Sequence, residues 1–343
     1  MMQQGDNNMP DVDLVVMWVD GSDPLWLEEK HKYGAISPSE SEAVFRFRDY
    51  GAMQYWFRSV ERFLPWFRKI HFVTWGHLPP FLDTSNPKLN IVRHQDYMPE
   101  GTLPCFNSSA LEMNLFRIKD LSEHFIYFND DMFVLRPMKK RDFFTEKGVP
   151  CLQFTESPPI HKGYRGTWQM NYVNDLSVIN QHFNKKKCQR GCFGKCFSMK
   201  YNWYDNVRSL ALRCLFPNAY TGFKTFHVAS PFCKKTFETI WSKEEELLAE
   251  TSRHRFREYT DVNQWLAIWW QIAEGNFHPR KRNTNCIPLN DKTVDEVCKW
   301  IVNRSYEMIC LNDDASESTF QGITEKLINA LETILPEKSS FEK

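Results

Sequence analysis

The sequence predicts an α/β fold with a mainly parallel sheet and a more helical second half. Short β-branched, apolar runs alternate with segments of helical spacing over the first 150 residues. Strands that alternate with helices in this way are typical of a mainly parallel sheet. The 343 residues, of which 42% are apolar, are enough to form one substantial core.

We expect one domain over residues 1–343, built from three parts. An α/β half covers residues 11–150. A more helical half covers residues 151–320 and contains a basic, cysteine-bearing insertion at 184–200. A C-terminal helix and tail cover residues 321–343.

The elements of the first half follow in order. A buried strand, VDLVVMWVD, ends where the polar DGSDP begins. Apolar residues from Met53 to Leu64 then recur at helical spacing, with Asp49 as a plausible cap and Pro65 as the stop. Two strands, KIHFVTW and KLNIVRH, come next, followed by the helix FNSSALEMNLFRI and the strand HFIYF.

The second half continues with helical patterns. Apolar residues from Trp168 to Phe183 fit one helix face, and VNQWLAIWWQIA fits another. The stretch YEMICLNDD is a short apolar strand that ends in Asn-Asp-Asp, and residues 319–335 have the pattern of an amphipathic helix.

Carboxylates follow several strands directly. In a parallel α/β sheet the ligand site lies beyond the carboxyl ends of the strands, so DGSD and NDD should share one edge. Adjacent carboxylates suit a hard cation such as Mg²⁺. Two acidic strand ends, Asp130/Asp131 and Asp313/Asp314, could converge on one ion, whereas a turn or a helix cap explains each Asn-Asp pair equally well.

Two basic segments allow phosphate chemistry. His227 lies near Pro231, Lys234 and Lys235, where a histidine could act as a general base beside a phosphate, although a lone histidine is more often structural. The stretch SRHRFREYTDVNQW holds arginines whose forked guanidinium groups match phosphate oxygens, and a solvated basic face is the plainer interpretation.

The insertion KKKCQRGCFGKCFSMK places cysteines at 188, 192 and 196. This spacing could put three thiols on one helix face, but a zinc site usually has four ligands and C-x2-C spacing. A flexible basic insertion that touches a membrane or an anionic acceptor remains the alternative.

Charge and hydropathy exclude several classes. Lys+Arg and Asp+Glu both number 43, so nothing global attracts nucleic acid. No run of 18 apolar residues predicts a transmembrane helix, and MMQQGDNNMPDVD lacks the features of a signal peptide. We therefore expect a cytoplasmic protein whose ten cysteines are thiols. Peripheral contact with the inner face of the cell membrane, or with a capsule assembly complex, stays open.

The motifs resemble those of the Stealth family. DLVVMWVDGSDP is similar to its first conserved region. The stretches RFRDYGAMQYWFRSVERFLPWFRKIHFVTWGHLPPFL and LPCFNSSALEMNLFRIKDLSEHFIYFNDDMFVLRPMKKRDFF resemble the second. HVASPFCKKTFETI resembles the third, SRHRFREYTDVNQW the fourth, and ICLNDD the C-terminal element. The resemblance runs in the family's order from about residue 11 to residue 320.

The resemblance implies a sugar-1-phosphate transferase with a Rossmann-like core related to the nucleotide-sugar transferases. Such enzymes include bacterial capsule polymerases and the catalytic subunit of the N-acetylglucosamine-1-phosphotransferase. The donor would be a UDP-sugar and the acceptor a hydroxyl of an oligo- or polysaccharide. The products would be a phosphodiester and UMP, in capsular or exopolysaccharide synthesis. The α/β half would bind the nucleotide sugar and the helical half the acceptor.

The resemblance also implies roles for residues at matching positions. The catalytic residues would be Asp131, His227 and Arg257, and the ligands of Mg²⁺ (or Mn²⁺) would be Asp130, Asp131 and Asp313. The expected substrate-binding residues are Asp20, Gly21, Asp23, Arg46, Arg48, Asp49, Asn107, Glu112, Lys234, Asp261 and Asn312.

Two rival functions stay open at this point. A metal-dependent glycosyltransferase that releases UDP would fit the strand-end carboxylates equally well. A non-catalytic surface or immune-masking protein is the second rival, and the lack of a recognisable export signal argues against it. We expect no nucleic acid among the protein's partners.

Overall fold

The computed structural model describes residues 9–34, 47–159 and 166–343. Its main sheet has five strands, in the spatial order β3-β2-β1-β4-β7. Their bounds are β1 Val12–Met17, β2 Ile70–Thr74, β3 Leu89–Arg93, β4 His124–Asn129 and β7 Ser230–Cys233. The first four strands run parallel and β7 runs antiparallel to β4. The predicted α/β fold with a mainly parallel sheet is confirmed.

Both faces of the main sheet are covered, which explains why its strands are apolar runs rather than alternating ones. Leu14 and Val16 of β1 point into one core cluster, and Val15 points into the other. Strand periodicity of two residues produces this division. The sheet is therefore the middle of three layers.

Twelve helices surround the sheet within the described part of the chain. Those of the first half are α1 Pro24–Tyr33, α2 Met53–Phe63 and α3 Ser108–Asn114. Those that follow are α4 Thr167–His182, α5 Lys185–Gly191, α6 Phe193–Cys196, α7 Trp203–Leu215, α8 Lys234–Lys243, α9 Glu245–Arg253, α10 Gln264–Ala273, α11 Val294–Val302 and α12 Glu317–Ile334.

Two smaller sheets complete the fold. Strand β10 (Met308–Asp313) lies between β5 (Met132–Val134) and β9 (Thr284–Leu289), antiparallel to β5 and parallel to β9. Strands β6 (Cys151–Leu152) and β8 (His278–Pro279) form a short parallel pair. Because β5 follows β4 after only two residues, the chain's last strand is brought next to the end of β4.

One local prediction is wrong. Asp49 is not the cap of α2: the cap residue is Ala52, and Asp49 instead accepts a hydrogen bond from Gly51 N at 2.7 Å in the turn before the helix. The cysteine-bearing insertion forms two short helices, which are separated at Cys192, where the backbone leaves helical geometry. The insertion also packs into the protein through Lys185, which is fully buried.

The three thiols of that insertion do not gather into a metal site in the residues that the structure describes. The Cys192 and Cys196 sulfur atoms lie 3.5 Å apart, while Cys192 Sγ contacts the backbone carbonyl of Cys188 at 3.3 Å. In the described residues, no helix combines the length and apolar character needed to cross a bilayer.

Candidate active site

The site lies at the carboxyl edge of the main sheet. Met17 of β1 is level with Asn129 of β4, so the polar residues that follow both strands emerge at the same edge. Strand β7 runs the other way, so its beginning, just after His227, reaches this edge, and its end meets the start of β4. Lys234 follows the end of β7, and its backbone N–H donates to Glu123 O at 2.9 Å. Lys234 therefore lies at the opposite edge of the sheet, and the structure does not bring it together with the other predicted site residues.

Carboxylates crowd one side of the site. Asp130 keeps contact with solvent, yet the surrounding protein, together with Asp131 and Asp49, raises its pKa well above the usual value. Loss of hydration also raises the pKa of Asp49, with Asp20 adding to the effect. Like charges in close proximity resist joint ionisation, so this side of the site favours a bound cation.

Asp131 stands where the acidic side meets the rest of the site. Its Oδ2 accepts a hydrogen bond from Cys310 Sγ at 3.2 Å, and its buried Oδ1 has no hydrogen-bond partner among the described residues. One ligand atom each from Asp131, His227 and Cys310 lie within 4.8 Å of one another. Burial raises the pKa of Asp131, and the nearby His227 partly offsets this rise.

A chain of hydrogen bonds connects His227 to a buried acid. Asn129 Nδ2 donates to His227 Nε2 at 3.4 Å, and the Tyr127 hydroxyl donates to Asn129 Oδ1 at 2.6 Å. The same hydroxyl lies 3.2 Å from Glu112 Oε1. Burial raises the pKa of Glu112 to about 7, so a protonated Glu112 can donate to the phenol oxygen. Glu112 is 5% exposed, so it supports the site from below rather than contacting substrate.

This arrangement keeps His227 neutral. Burial lowers the pKa of His227, and Arg257 lowers it further, while Asp131 acts in the opposite direction. With Asn129 donating to Nε2, the ring proton belongs on Nδ1, which is buried and has no partner among the described residues. His227 therefore carries its lone pair on Nε2, which can accept a proton when another group replaces the long hydrogen bond from Asn129.

Arg257 is held in place by a short loop fixed from beneath. Its Nη2 donates to Ser108 Oγ at 2.6 Å at the start of α3. Asp261 accepts hydrogen bonds from Asn107 Nδ2 at 2.8 Å and from His254 Nδ1 at 2.7 Å, which closes the loop. Asn107 and Asp261 are both fully buried and position the loop, and their contact with substrate stays a prediction. In the described chain, Arg257 has no carboxylate within ion-pair distance.

The DGSD turn after β1 is tied to the segment after β2. The backbone N–H of Asp20 donates to His77 Nε2 at 2.7 Å, and Asp23 caps α1 by accepting from two backbone N–H groups. Gly21 donates its N–H to Phe47 O at 3.2 Å, and an added Cβ would lie 2.2 Å from that oxygen. Glycine is needed here because the two backbones approach so closely.

Asp313 does not join Asp131. It accepts two hydrogen bonds from Arg48, at 2.7 and 2.8 Å, and one from the Tyr50 hydroxyl at 2.5 Å. Side chains alternate along β10, so Cys310 and Asn312 share the face next to Asp131 while Asp313 points away. The ion pair between Arg48 and Asp313 joins two distant segments, and the structure does not bring Asp313 to Asp131.

Several residues were missed or fall outside the described chain. Arg46, predicted to contact the donor, lies outside the described residues. Sequence reasoning missed the functional positions of Tyr127, Asn129 and Cys310. Asn129 belongs to the NDD motif itself, and Cys310 could have been found from its two-residue spacing to Asn312.

The amino-acid sequence is similar to those of known proteins. Two family models of the Stealth proteins match the sequence: conserved region 1 matches residues 10–38, and conserved region 2 matches residues 46–152. The capsular polysaccharide phosphotransferase WcwK of Streptococcus pneumoniae is 38% identical over 98% of this chain and 99% of its own. The exopolysaccharide phosphotransferase cps2G of Lactiplantibacillus plantarum is 36% identical over 97% and 96%.

Solved structures of the galactosyltransferase LgtC align with TM-scores of 0.37 and 0.34, at 11% identity, over 92% and 93% of this chain and 95% of theirs. A likeness of that size carries no argument about function. The α/β fold, the strand-edge site and the curated relatives define a transferase of the phosphotransferase class. The chain belongs to the Stealth family, and the resemblance drawn from its motifs is confirmed.

Proposed function

We propose that the protein transfers a sugar-1-phosphate from a UDP-sugar to a hydroxyl of an oligo- or polysaccharide acceptor, in capsular or exopolysaccharide synthesis. The acceptor oxygen would bond to the β-phosphorus, the bond from that phosphorus to the bridging oxygen would break, and UMP would leave. The observation that carries the proposal is the pairing of a neutral His227 with a nearby Arg257 that no carboxylate neutralises within ion-pair distance in the described chain.

His227 would take the proton of the acceptor hydroxyl at Nε2. Its lowered pKa keeps the ring neutral near pH 7, as a base requires. The carboxylate of Asp131 lies close enough to stabilise the imidazolium that forms. General-base catalysis of this kind contributes about 10²–10⁴-fold to a rate.

Arg257 would hold the phosphate that is transferred. Its guanidinium group uses one nitrogen on Ser108, which leaves other N–H donors for phosphate oxygens. Phosphoryl transfer depends mainly on positioning and electrostatic stabilisation. The buried hydrogen bonds of Asp261 and Asn107 keep the loop rigid, so the arginine is preorganised for this contact.

A divalent cation, Mg²⁺ or Mn²⁺, fits the acidic side of the site. The unpartnered buried Oδ1 of Asp131 and the raised pKa of its neighbour Asp130 are both observations that a cation would relieve. Asp130 and Asp131 would hold it, and the amide oxygen of Asn312, 3.5 Å from Cys310 Sγ, is a nearby oxygen ligand. When bound, the ion would offset the charge of the donor's diphosphate. Loss of Mn²⁺ binding in Asp131→Asn, followed by electron paramagnetic resonance, tests this assignment without activity.

The nucleotide that leaves tests the reaction. The purified protein would be incubated with a panel of UDP-sugars, Mg²⁺ and capsule-type oligosaccharides, and the released nucleotide identified by mass spectrometry. UMP with a phosphodiester-linked product is the expected result. UDP would contradict the proposal and favour a glycosyltransferase.

The roles of the two catalytic residues are tested separately. With donor saturating, His227→Ala should lower turnover at least about 100-fold, and Arg257→Ala about 10²–10³-fold. His31→Ala, an exposed histidine on α1, is the matched control and should retain turnover. Near-normal turnover in His227→Ala would refute its role as the base.

A further inference from the structure

Helix α7 turns an apolar face to solvent. Its exposed residues are all apolar or aromatic: Trp203, Tyr204, Val207, Leu210, Ala211, Cys214 and Leu215. Trp203 is 77% exposed and Leu215 is 71% exposed. Met199 before the helix is 99% exposed and Phe216 after it is 52% exposed. Contiguous patches of this kind mark interaction sites on soluble proteins. We call these nine residues, Met199, the seven exposed residues of α7 and Phe216, the α7 apolar face.

The polar side of α7 faces inwards, which fixes the orientation of the helix. Asp205 and Ser209 are buried. Ser209 Oγ accepts from the backbone N–H of Glu156 at 3.0 Å, and Arg208 donates to Glu156 O at 3.0 Å and to Asp205 Oδ1 at 2.7 Å. The helix is thus anchored by its polar residues, and its apolar side is left without a partner in the described structure.

The surroundings of this face are strongly basic. Residues 184–220 contain eight Lys or Arg and a single acidic residue, Asp205. That aspartate is buried and paired with Arg208, so it offers no negative charge at the surface. Lys186, Lys187 and Arg190 are exposed on α5.

We propose that the α7 apolar face docks on an anionic lipid bilayer. Helices that lie in a membrane interface combine Trp, Phe or Leu on one side with Lys and Arg around it. Trp and Tyr favour the headgroup level, and basic clusters are attracted by anionic lipids. Charge decides against a second copy of the chain. A two-fold interface would bring the same basic segment against itself, with no exposed carboxylate in it to pair.

Docking there would hold the active site near the bilayer. The chain runs from Phe216 to His227 in 11 residues, a span of at most about 40 Å. Thr221, midway along it, donates to Glu156 Oε1 at 2.9 Å, and Lys185 donates to the same oxygen at 2.8 Å. The inference does not depend on the donor or on the reaction proposed above.

Vesicle sedimentation tests the apolar part. The protein should bind vesicles of phosphatidylcholine containing about one third phosphatidylglycerol more tightly than vesicles of phosphatidylcholine alone. The triple variant Trp203→Ser, Val207→Ser and Leu215→Ser should lose at least about tenfold in partition. The control Leu25→Ser with Val302→Ser removes exposed apolar side chains elsewhere and should bind as the parent does.

The basic part has its own matched pair. Lys186→Gln with Lys187→Gln should weaken binding to the anionic vesicles about 25-fold, since each basic residue near an anionic surface contributes about fivefold. Lys119→Gln with Lys147→Gln removes two exposed lysines elsewhere and should change little. All variants are first compared with the parent by thermal unfolding, because the substituted side chains are exposed and should leave the fold intact.

A second readout locates Trp203. Lipids brominated in their acyl chains should quench part of the parent's tryptophan fluorescence, and Trp203→Phe should remove that part while keeping most of the binding. Failure of the parent to bind anionic vesicles overturns the proposal. So does equal loss of binding in the control variants, or a dimer that the triple variant abolishes while vesicle binding is absent.

Discussion

The buried acid beneath the site makes stability depend on pH. Glu112 has a pKa of about 7, against an ordinary value of 4.5 for a glutamic acid side chain, because burial favours its neutral form. The folded state therefore favours the protonated, neutral form of Glu112. The stability it contributes is fully present below pH 4.5 and is lost as the pH rises through about 7. At about 1.4 kcal/mol for each pKa unit, the loss is about 3 kcal/mol.

Glu112→Gln removes the titration while keeping the shape. The amide oxygen can still accept from Gln264 N, 3.2 Å from the carboxylate in the parent, and the amide N–H can face the Tyr127 hydroxyl. The direct cost should stay near about 1 kcal/mol. The two proteins should therefore differ in the pH dependence of their stability far more than in stability at low pH.

Thermal unfolding between pH 4.5 and pH 7.5 measures that difference. An unfolding entropy of about 2.1 cal/mol/K per residue gives about 0.7 kcal/mol/K for a chain of 343 residues. Over this range the melting temperature of the parent should fall about 4 °C further than that of Glu112→Gln. Parallel curves for the two proteins would show that Glu112 is ionised in the folded state and would refute the hydrogen-bond chain that starts from its proton.

Three further predictions follow from the same structure. Gly21→Ala should destabilise the protein by about 2 kcal/mol or more, since its Cβ would lie 2.2 Å from a backbone oxygen. Gly322→Ala, in open space within α12, should instead stabilise it by about 0.5–1 kcal/mol. Shifts of the two melting temperatures in the same direction would contradict this prediction. Lys234→Ala should change turnover less than about twofold, because it lies at the far edge of the sheet; a tenfold loss in a steady-state assay would return it to the site. Lys185→Met should cost about 3–5 kcal/mol, because it leaves a fully buried carboxylate without its cation; denaturant titration measures this, and a neutral effect would mean that the carboxylate takes up a proton at little cost.

General rules about sheets predicted where the site lies, since parallel strands must end at one edge. The polar residues after β1 and β4 could be placed together for that reason alone. The position of Lys234 could not be derived in this way, because the sequence does not indicate that β7 runs antiparallel. The four residues of β7 lie between His227 and Lys234, so these two residues are at opposite edges of the sheet.

Side-chain direction is the second point at which sequence reasoning fell short. The prediction that the two acidic strand ends converge used only the positions at which the strands end. A strand also points successive side chains to opposite faces, so Asp313 meets Arg48 while Cys310 meets Asp131. The buried positions of Asn107 and Asp261 depend on contacts between segments about 150 residues apart, which no local pattern contains.

Strand β10 has a consequence for the timing of activity during synthesis. It supplies Cys310 to Asp131 and Asp313 to Arg48, across separations of 179 and 265 residues. A ribosome makes the chain from its N-terminus, so the turn after β1 exists long before β10, the strand that contacts Asp131 and Arg48. The nascent chain therefore stays incompetent for transfer until the strand Met308–Asp313 has emerged and paired with β5.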